Sequence, residues 1–143
     1  MQAILDATDL FPAEILPEML DDFLGNREDG DLWLTCERDG AVVGFCYAVP
    51  EPMAEGTWNM LAIAVLPDCQ GTGAGTLLAR HLEEALRSGE EEEARILIAD
   101  TSGTDAFART RDFYRRNGCT EEARIRDFWG AGDDKVVFWK SLA

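Results

Sequence analysis

Ala62-Ile63-Ala64-Val65-Leu66-Pro67-Asp68-Cys69-Gln70-Gly71-Thr72-Gly73-Ala74-Gly75-Thr76 is an apolar run stopped by a proline and followed by a glycine-spaced loop. The run begins further back, and Thr57 to Leu66 is almost continuously apolar, the pattern of a strand buried on both faces. Downstream, Ala74, Leu78, Leu82, Ala85 and Leu86 recur at helical spacing and mark one face of a helix that ends near Ser88-Gly89. A strand ending at Pro67 and a helix opening near Gly73 leave successive main-chain N–H groups at the helix's positive end, where a phosphate is held by donors and dipole together. Glycine there permits unusual dihedrals and lets phosphate oxygens approach without a Cβ in the way. Gln70, Gly71, Thr72, Gly73, Ala74, Gly75 and Thr76 are therefore candidate anion-binding residues; the plain alternative is a turn that only joins strand to helix.

Working outward, Ala94 to Asp100 reads as another buried strand, so strand, helix and strand make a parallel unit. The acidic run Glu90 to Glu93 between them is a solvated turn. On the N-terminal side, Leu32 to Glu37 and Ala41 to Val49 flank Arg38-Asp39-Gly40, a hairpin signal. Phe11 to Leu24 carries Ile15, Leu16, Met19, Leu20 and Phe23 at helical spacing, leaving at most Ala3-Ile4-Leu5 for a first strand. On the C-terminal side, Ala106 to Asn117 is helical, with Phe107, Thr110, Phe113 and Tyr114 on one side and Gly118 as its stop. Thr120 to Ile125 and Lys135 to Lys140 are strand-like around the loop Asp127 to Asp134. With 143 residues and 46% apolar composition, the chain 1–143 is expected to form one domain.

A net charge of −15 repels phosphate backbones and anionic lipid, which argues against nucleic-acid and membrane roles and favours a cationic small partner. A uniformly acidic surface also serves solubility alone. Cys36, Cys46, Cys69 and Cys119 have no C-x-x-C spacing, and His81, the single histidine, lies in a helical pattern, so no metal site is expected. The N-terminus has neither a basic region nor a signal-like apolar run, and the expected compartment is the cytoplasm.

The phosphate-binding alternatives separate by spacing. A Walker loop needs Lys-Ser or Lys-Thr after its last glycine, and Gly75-Thr76-Leu77 has none. The dinucleotide fingerprint begun at Gly71 needs glycine where Thr76 stands, although Asp100 imitates its ribose-binding acid. The stretch from Ala62 to Gly75 resembles the Gln/Arg-x-x-Gly-x-Gly/Ala signature of GNAT acyltransferases and the strand that feeds it. Thr110-Arg111-Asp112-Phe113-Tyr114-Arg115-Arg116-Asn117-Gly118 is similar to that family's second landmark, a helix carrying Phe-Tyr and ending in Gly. The resemblance covers roughly Leu32 to Leu142.

The resemblance implies an α/β (α+β) fold: a mixed, mostly antiparallel twisted sheet with a central parallel strand pair, flanked by helices. It implies acyl transfer, acetyl being the commonest in the family, from acetyl-CoA or another acyl-CoA to a primary amine of a small molecule or peptide, by direct attack in a ternary complex. Homodimers are common in the family. The pantetheine arm would pair with Ile63, Ala64 and Val65, the amide of Val65 stabilising the oxyanion. Tyr114 matches the tyrosine that protonates the leaving thiolate. Where many relatives carry a carboxylate stands Asn59, which orients a water but takes no proton. The base stays open among Asp100, Glu55, Asp127, Asp133 and Asp134, and Asp133 and Asp134 also offer carboxylates to a cationic acceptor. Trp58, Phe128 and Trp129 either line the acceptor pocket or pack. Phe107 replaces an asparagine that contacts pantetheine in relatives. The absent carboxylate at Asn59 motivates a second reading, a non-catalytic acyl-CoA-binding sensor or partner module.

Overall fold

The computed structural model describes Ile4, residues 30–89 and residues 93–143. Asp39 and Gly40 both have positive φ, 52° and 80°, as a two-residue hairpin turn matched to strand twist requires. They join β1 (Leu32–Arg38) to β2 (Ala41–Pro50). β3 (Thr57–Val65) continues the antiparallel pairing on the other side of β2. The register slips between Tyr47 and Ala48, whose partners are Ala62 and Met60, so Leu61 is the extra residue of a bulge. Leu61 is accordingly exposed, an exception to the doubly buried strand that the apolar run suggests.

After β3 come a short 3-10 turn at Pro67–Cys69 and helix α1 (Ala74–Arg87). The chain returns as β4 (Ile96–Ser102), then runs through a 3-10 turn at Asp105–Phe107 into α2 (Ala108–Arg116), β5 (Thr120–Gly130) and β6 (Asp133–Ser141). The six strands form one sheet in the order β1-β2-β3-β4-β6-β5, and β3–β4 is its single parallel pair.

The helix-side core joins Leu78, Leu82 and Leu86 of α1 and Tyr114 of α2 to Cys46, Met60, Leu97, Val136 and Phe138 of the sheet. The opposite face carries a second cluster of Phe45, Tyr47, Ala62 and Ala64, on which the helical residue Ile4 is fully buried. The reading of Ala3 to Leu5 as strand meets helix at Ile4, and the helix expected over Phe11 to Leu24 lies outside the described residues. The turn expected at Glu90 to Glu93 also lies outside them, apart from Glu93.

Two expectations move. The strand expected from Ala94 begins at Ile96 because Arg95 and Ile96 both donate their amides to Gly56 O, and it runs on to Ser102 because β6 pairs it that far. The loop expected from Asp127 to Asp134 is mostly strand, with β5 and β6 meeting at a tight turn over Ala131 and Gly132. Asp127 supplies local bonding that sequence periodicity does not register, its carboxylate accepting from the Gly132 amide at 2.8 Å. No helix of the described residues is long and apolar enough to cross a membrane.

Candidate active site at the strand fork

The parallel pair is short. β3 and β4 pair only over Thr57, Trp58 and Asn59 against Ile96, Leu97 and Ile98, and then part. Beyond Asn59 the β4-facing edge of β3 is open. Main-chain groups alternate sides along a strand, and the Leu66 amide donates to Val43 O on β2 at 2.8 Å. The Val65 amide and carbonyl therefore face the fork, as do those of Ile63. Gln70 reaches back and donates Nε2 to Val65 O at 3.1 Å, which ties the loop to the strand end.

Gly71 and Gly73 have φ of 76° and 90°, and a Cβ built at either would meet no heavy atom within 4 Å beyond its chain neighbours. The main-chain amides from Gly71 to Thr76 donate to no carbonyl among the described residues, and Gly73 caps α1 without a side-chain hydrogen bond. The first turn of α1 carries no acidic residue in a chain of net charge −15. An open, uncapped helix N-terminus of this kind is a site for an anion. The Thr72 hydroxyl donates to Cys69 O at 2.5 Å and so shapes the loop. Ala74 is buried in the core and supplies only its backbone.

These features line one groove of about 630 Å³, within the range of ligand pockets. Ile63, Ala64 and Val65 form its floor, Gln70, Gly71, Gly73, Gly75 and Thr76 its phosphate-side end, and α1 and α2 its walls. The wall residues Arg80, Arg109, Phe113, Arg116 and Asn117 escaped the sequence reading. Phe113 alone had a signal, its place on the apolar side of α2.

Tyr114 is buried behind this wall, its ring 5.7 Å from Phe113 and 5.1 Å from Phe138, and it is not among the residues lining the groove. Burial pushes its phenol well above the usual tyrosine range, with the charges of Cys119 and Asp100 adding to the effect. The phenol is a proton donor at any physiological pH.

Asn59, the last paired residue before the fork, is buried and donates Nδ2 to Glu51 Oε1 at 2.8 Å, while its Oδ1 has no partner. Asp100 of β4 pairs one carboxylate oxygen with Lys135 Nζ at 3.0 Å and keeps the other buried and unpartnered. Asp133 and Asp134 are not brought to the groove. Asp133 accepts from Ser102 Oγ at 2.5 Å, and Asp134 binds Arg124 at 3.1 Å and the Asp127 amide at 3.0 Å. The Asp127 amide, and then Arg124, hold the Asp134 carboxyl below the usual range. Trp58 packs on the helix-side core, whereas Phe128 and Trp129 are half exposed, the Trp129 Nε1 donating to Thr101 O at 3.3 Å.

Residues 2–119 match the model of the acetyltransferase (GNAT) family. The chain belongs to the GNAT family. A chain from Desulfovibrio desulfuricans assigned to the same family is 31% identical, with a TM-score of 0.86 over 99% of this chain and 90% of that one. The ribosomal-protein-alanine N-acetyltransferase of Brucella melitensis is 25% identical, with a TM-score of 0.73 over 98% and 91%. A Salmonella typhimurium protein solved with acetyl-CoA shares the fold, at 19% identity and a TM-score of 0.72 over 93% and 75%. No curated protein matches the sequence. This GNAT chain thus combines the open α1 N-terminus and the strand fork in one groove, and Tyr114 is buried outside its lining.

Proposed function

We propose that the protein transfers an acyl group, acetyl in the first instance, from acyl-CoA to a primary amine of a small molecule or peptide. The observation that carries this reading is the fork: unpaired amides of β3 open directly beside the uncapped N-terminus of α1. Acyl-CoA supplies an activated thioester whose acyl carbon an amine attacks. The residues fit such a molecule, since the space around Gly71 and Gly73 is open and the amides from Gly71 to Thr76, which have no carbonyl partner among the described residues, are donors suited to a diphosphate. Ile63 and Val65 offer strand-edge groups to an amide-bearing arm, whereas the main-chain groups of Ala64, which also lines the groove, face β2.

The Val65 N–H acts where negative charge builds on the acyl oxygen, and a preorganised donor of this kind contributes more in a water-poor site than in solution. Tyr114 O–H supplies a proton to the departing sulfur. The unpartnered oxygens of Asn59 and Asp100 are acceptors and suit the N–H donors of an amine. The Brucella melitensis protein is named as an N-acetyltransferase of ribosomal-protein alanine, which fits a peptide acceptor here, and the net negative charge favours cationic acceptors generally. Four free thiols fit a reducing compartment such as the cytoplasm.

The test is thermal unfolding with acetyl-CoA, CoA and NAD, followed by an amine panel with thiol detection. Ligand at about 100 times its Kd adds about 2.7 kcal/mol. Stabilisation by both CoA species and not NAD, with thiol released by an amine, supports the reading. No shift with either CoA species removes it, and binding without turnover of any amine leaves a non-catalytic module.

A further inference from the structure

The groove has more positive charge than a diphosphate requires. Arg80 of α1 and Arg109 and Arg116 of α2 all line it, and none makes a hydrogen bond or ion pair among the described residues. The other charged lining residues cancel, Lys140 Nζ standing 2.6 Å from Glu83 Oε1. Neighbouring arginines of α2 are committed elsewhere: Arg115 binds Asp112 at 3.0 Å and Glu121 at 2.9 Å, and Arg111 donates to the carbonyls of Ser102 and Thr104. In a strongly acidic chain, three guanidinium groups facing one groove are left without a partner among the described residues. Arg109 and Arg116 also line an adjoining concavity, so they stand where the groove opens to the surface.

We infer that Arg109 and Arg116 form a second phosphate subsite, separate from the α1 N-terminus, that takes the ribose phosphomonoester of CoA and makes the protein select CoA over its dephosphorylated form. The inference rests on the acyl-CoA reading. A diphosphate on the α1 amides carries about two negative charges, which Arg80 and the helix end together offset in large part. A phosphomonoester adds about −1.5 to −2, matching the remaining two arginines, and guanidinium is the side chain suited to paired hydrogen bonds with phosphate. The subsite selects by charge as well as by contact, so its effect weakens with added salt.

The experiment is calorimetric titration of the full chain with CoA and with 3′-dephospho-CoA, at low and at high salt. Wild-type protein is expected to bind CoA on the order of tenfold or more tightly than dephospho-CoA, the gap narrowing with salt. In the doubly substituted Arg109→Gln, Arg116→Gln protein the two ligands bind within about twofold of each other, the loss of affinity falling mainly on CoA. Both arginines are exposed, so the ligand-free melting temperature serves as the folding control. Equal wild-type affinities, or a preference that survives both substitutions, overturns the subsite while leaving the acyl-CoA reading intact. Failure of both ligands to bind wild-type protein overturns the acyl-CoA reading itself, and the subsite with it.

Discussion

Asn59 donates Nδ2 to Glu51 Oε1 at 2.8 Å, and this bond fixes which way the buried amide points. A carboxylate only accepts, so the amide must turn its NH2 toward Glu51 and its Oδ1 away, leaving an acceptor with no protein partner at the strand fork. Asn59→Leu removes that orphaned oxygen at similar volume while Glu51 rehydrates at its half-buried position. Stability is expected to change by about 1 kcal/mol or less, because deleting an unsatisfied buried acceptor offsets the lost hydrogen bond. Amine kcat/KM is expected to fall at least about tenfold, with CoA affinity unchanged. Steady-state kinetics beside a melting curve separates the two effects.

Gly73→Ala tests the anion cradle. At φ of 90° an alanine costs about 1–2 kcal/mol of stability. The added methyl meets no protein atom within 4 Å beyond its chain neighbours, so any loss of CoA affinity comes from the ligand's own space. The variant should melt a few degrees lower and lose most of the CoA-induced rise in melting temperature. Gly40→Ala, also at positive φ and in open space but far along the chain at the β1–β2 turn, should lower the melting temperature and keep the CoA response.

Lys140 Nζ bridges Glu83 of α1 at 2.6 Å and Asn117 O at the end of α2 at 2.7 Å, so one ammonium ties both helices to β6. Lys140→Met keeps most of the stem and removes the charge, leaving the largely buried Glu83 with Arg87 at 3.4 Å. A loss of about 1–3 kcal/mol is expected, read as a lower midpoint in urea. An unchanged midpoint would assign the bridge no role in docking the helices.

The strand, loop and helix from Thr57 to Arg87 were legible because three independent signals agree there: an apolar run, a proline stop with glycine spacing, and a helical stripe. The hairpin was legible from Asp39-Gly40 for the same local reason. The β5–β6 turn was not, because Asp127 and Gly132 hold it by a side-chain bond that has no periodicity. Arg80, Arg109 and Arg116 were hidden because a helix-surface arginine facing a groove reads like one facing water, and only the groove that α1 and α2 both line distinguishes them. Asn59 was visible as an odd polar residue in the apolar run, but its partner Glu51 lies across a loop that sequence does not fold.

Burial pushes the Cys46 thiol up to about 12 and carries the Tyr114 phenol well above its ordinary value. Both groups hold their protons longer folded than unfolded. Their contribution is fully present below the unfolded thiol value of 9.0 and is lost as pH rises toward about 12. Stability should therefore decline above about pH 9, by up to about 1.4 kcal/mol per pH unit for each group in its window. Cys46→Ala should lower the midpoint at pH 8 and flatten the decline between pH 9 and 11. A slope identical to wild type would exclude Cys46 as its source.

Tyr114→Phe deletes one hydroxyl from a ring packed against Phe113 and Phe138 and leaves those contacts in place. If the phenol protonates the departing sulfur, kcat falls about 100-fold or more while the affinity for acetyl-CoA is kept, since general acids contribute about 10²–10⁴. The raised phenol value adds a second expectation. The group stays protonated across the assay range, so the alkaline limb of the wild-type rate profile below pH 10 belongs to another group and should persist in the residual activity of the variant. The leaving thiol makes the decisive comparison: a thioester whose leaving thiol is more acidic needs less help from a proton donor. A chlorinated aryl thioester should then show a smaller loss than acetyl-CoA in the same variant. Equal losses for both thioesters would mean that the hydroxyl serves the packing of α2 and not the leaving group.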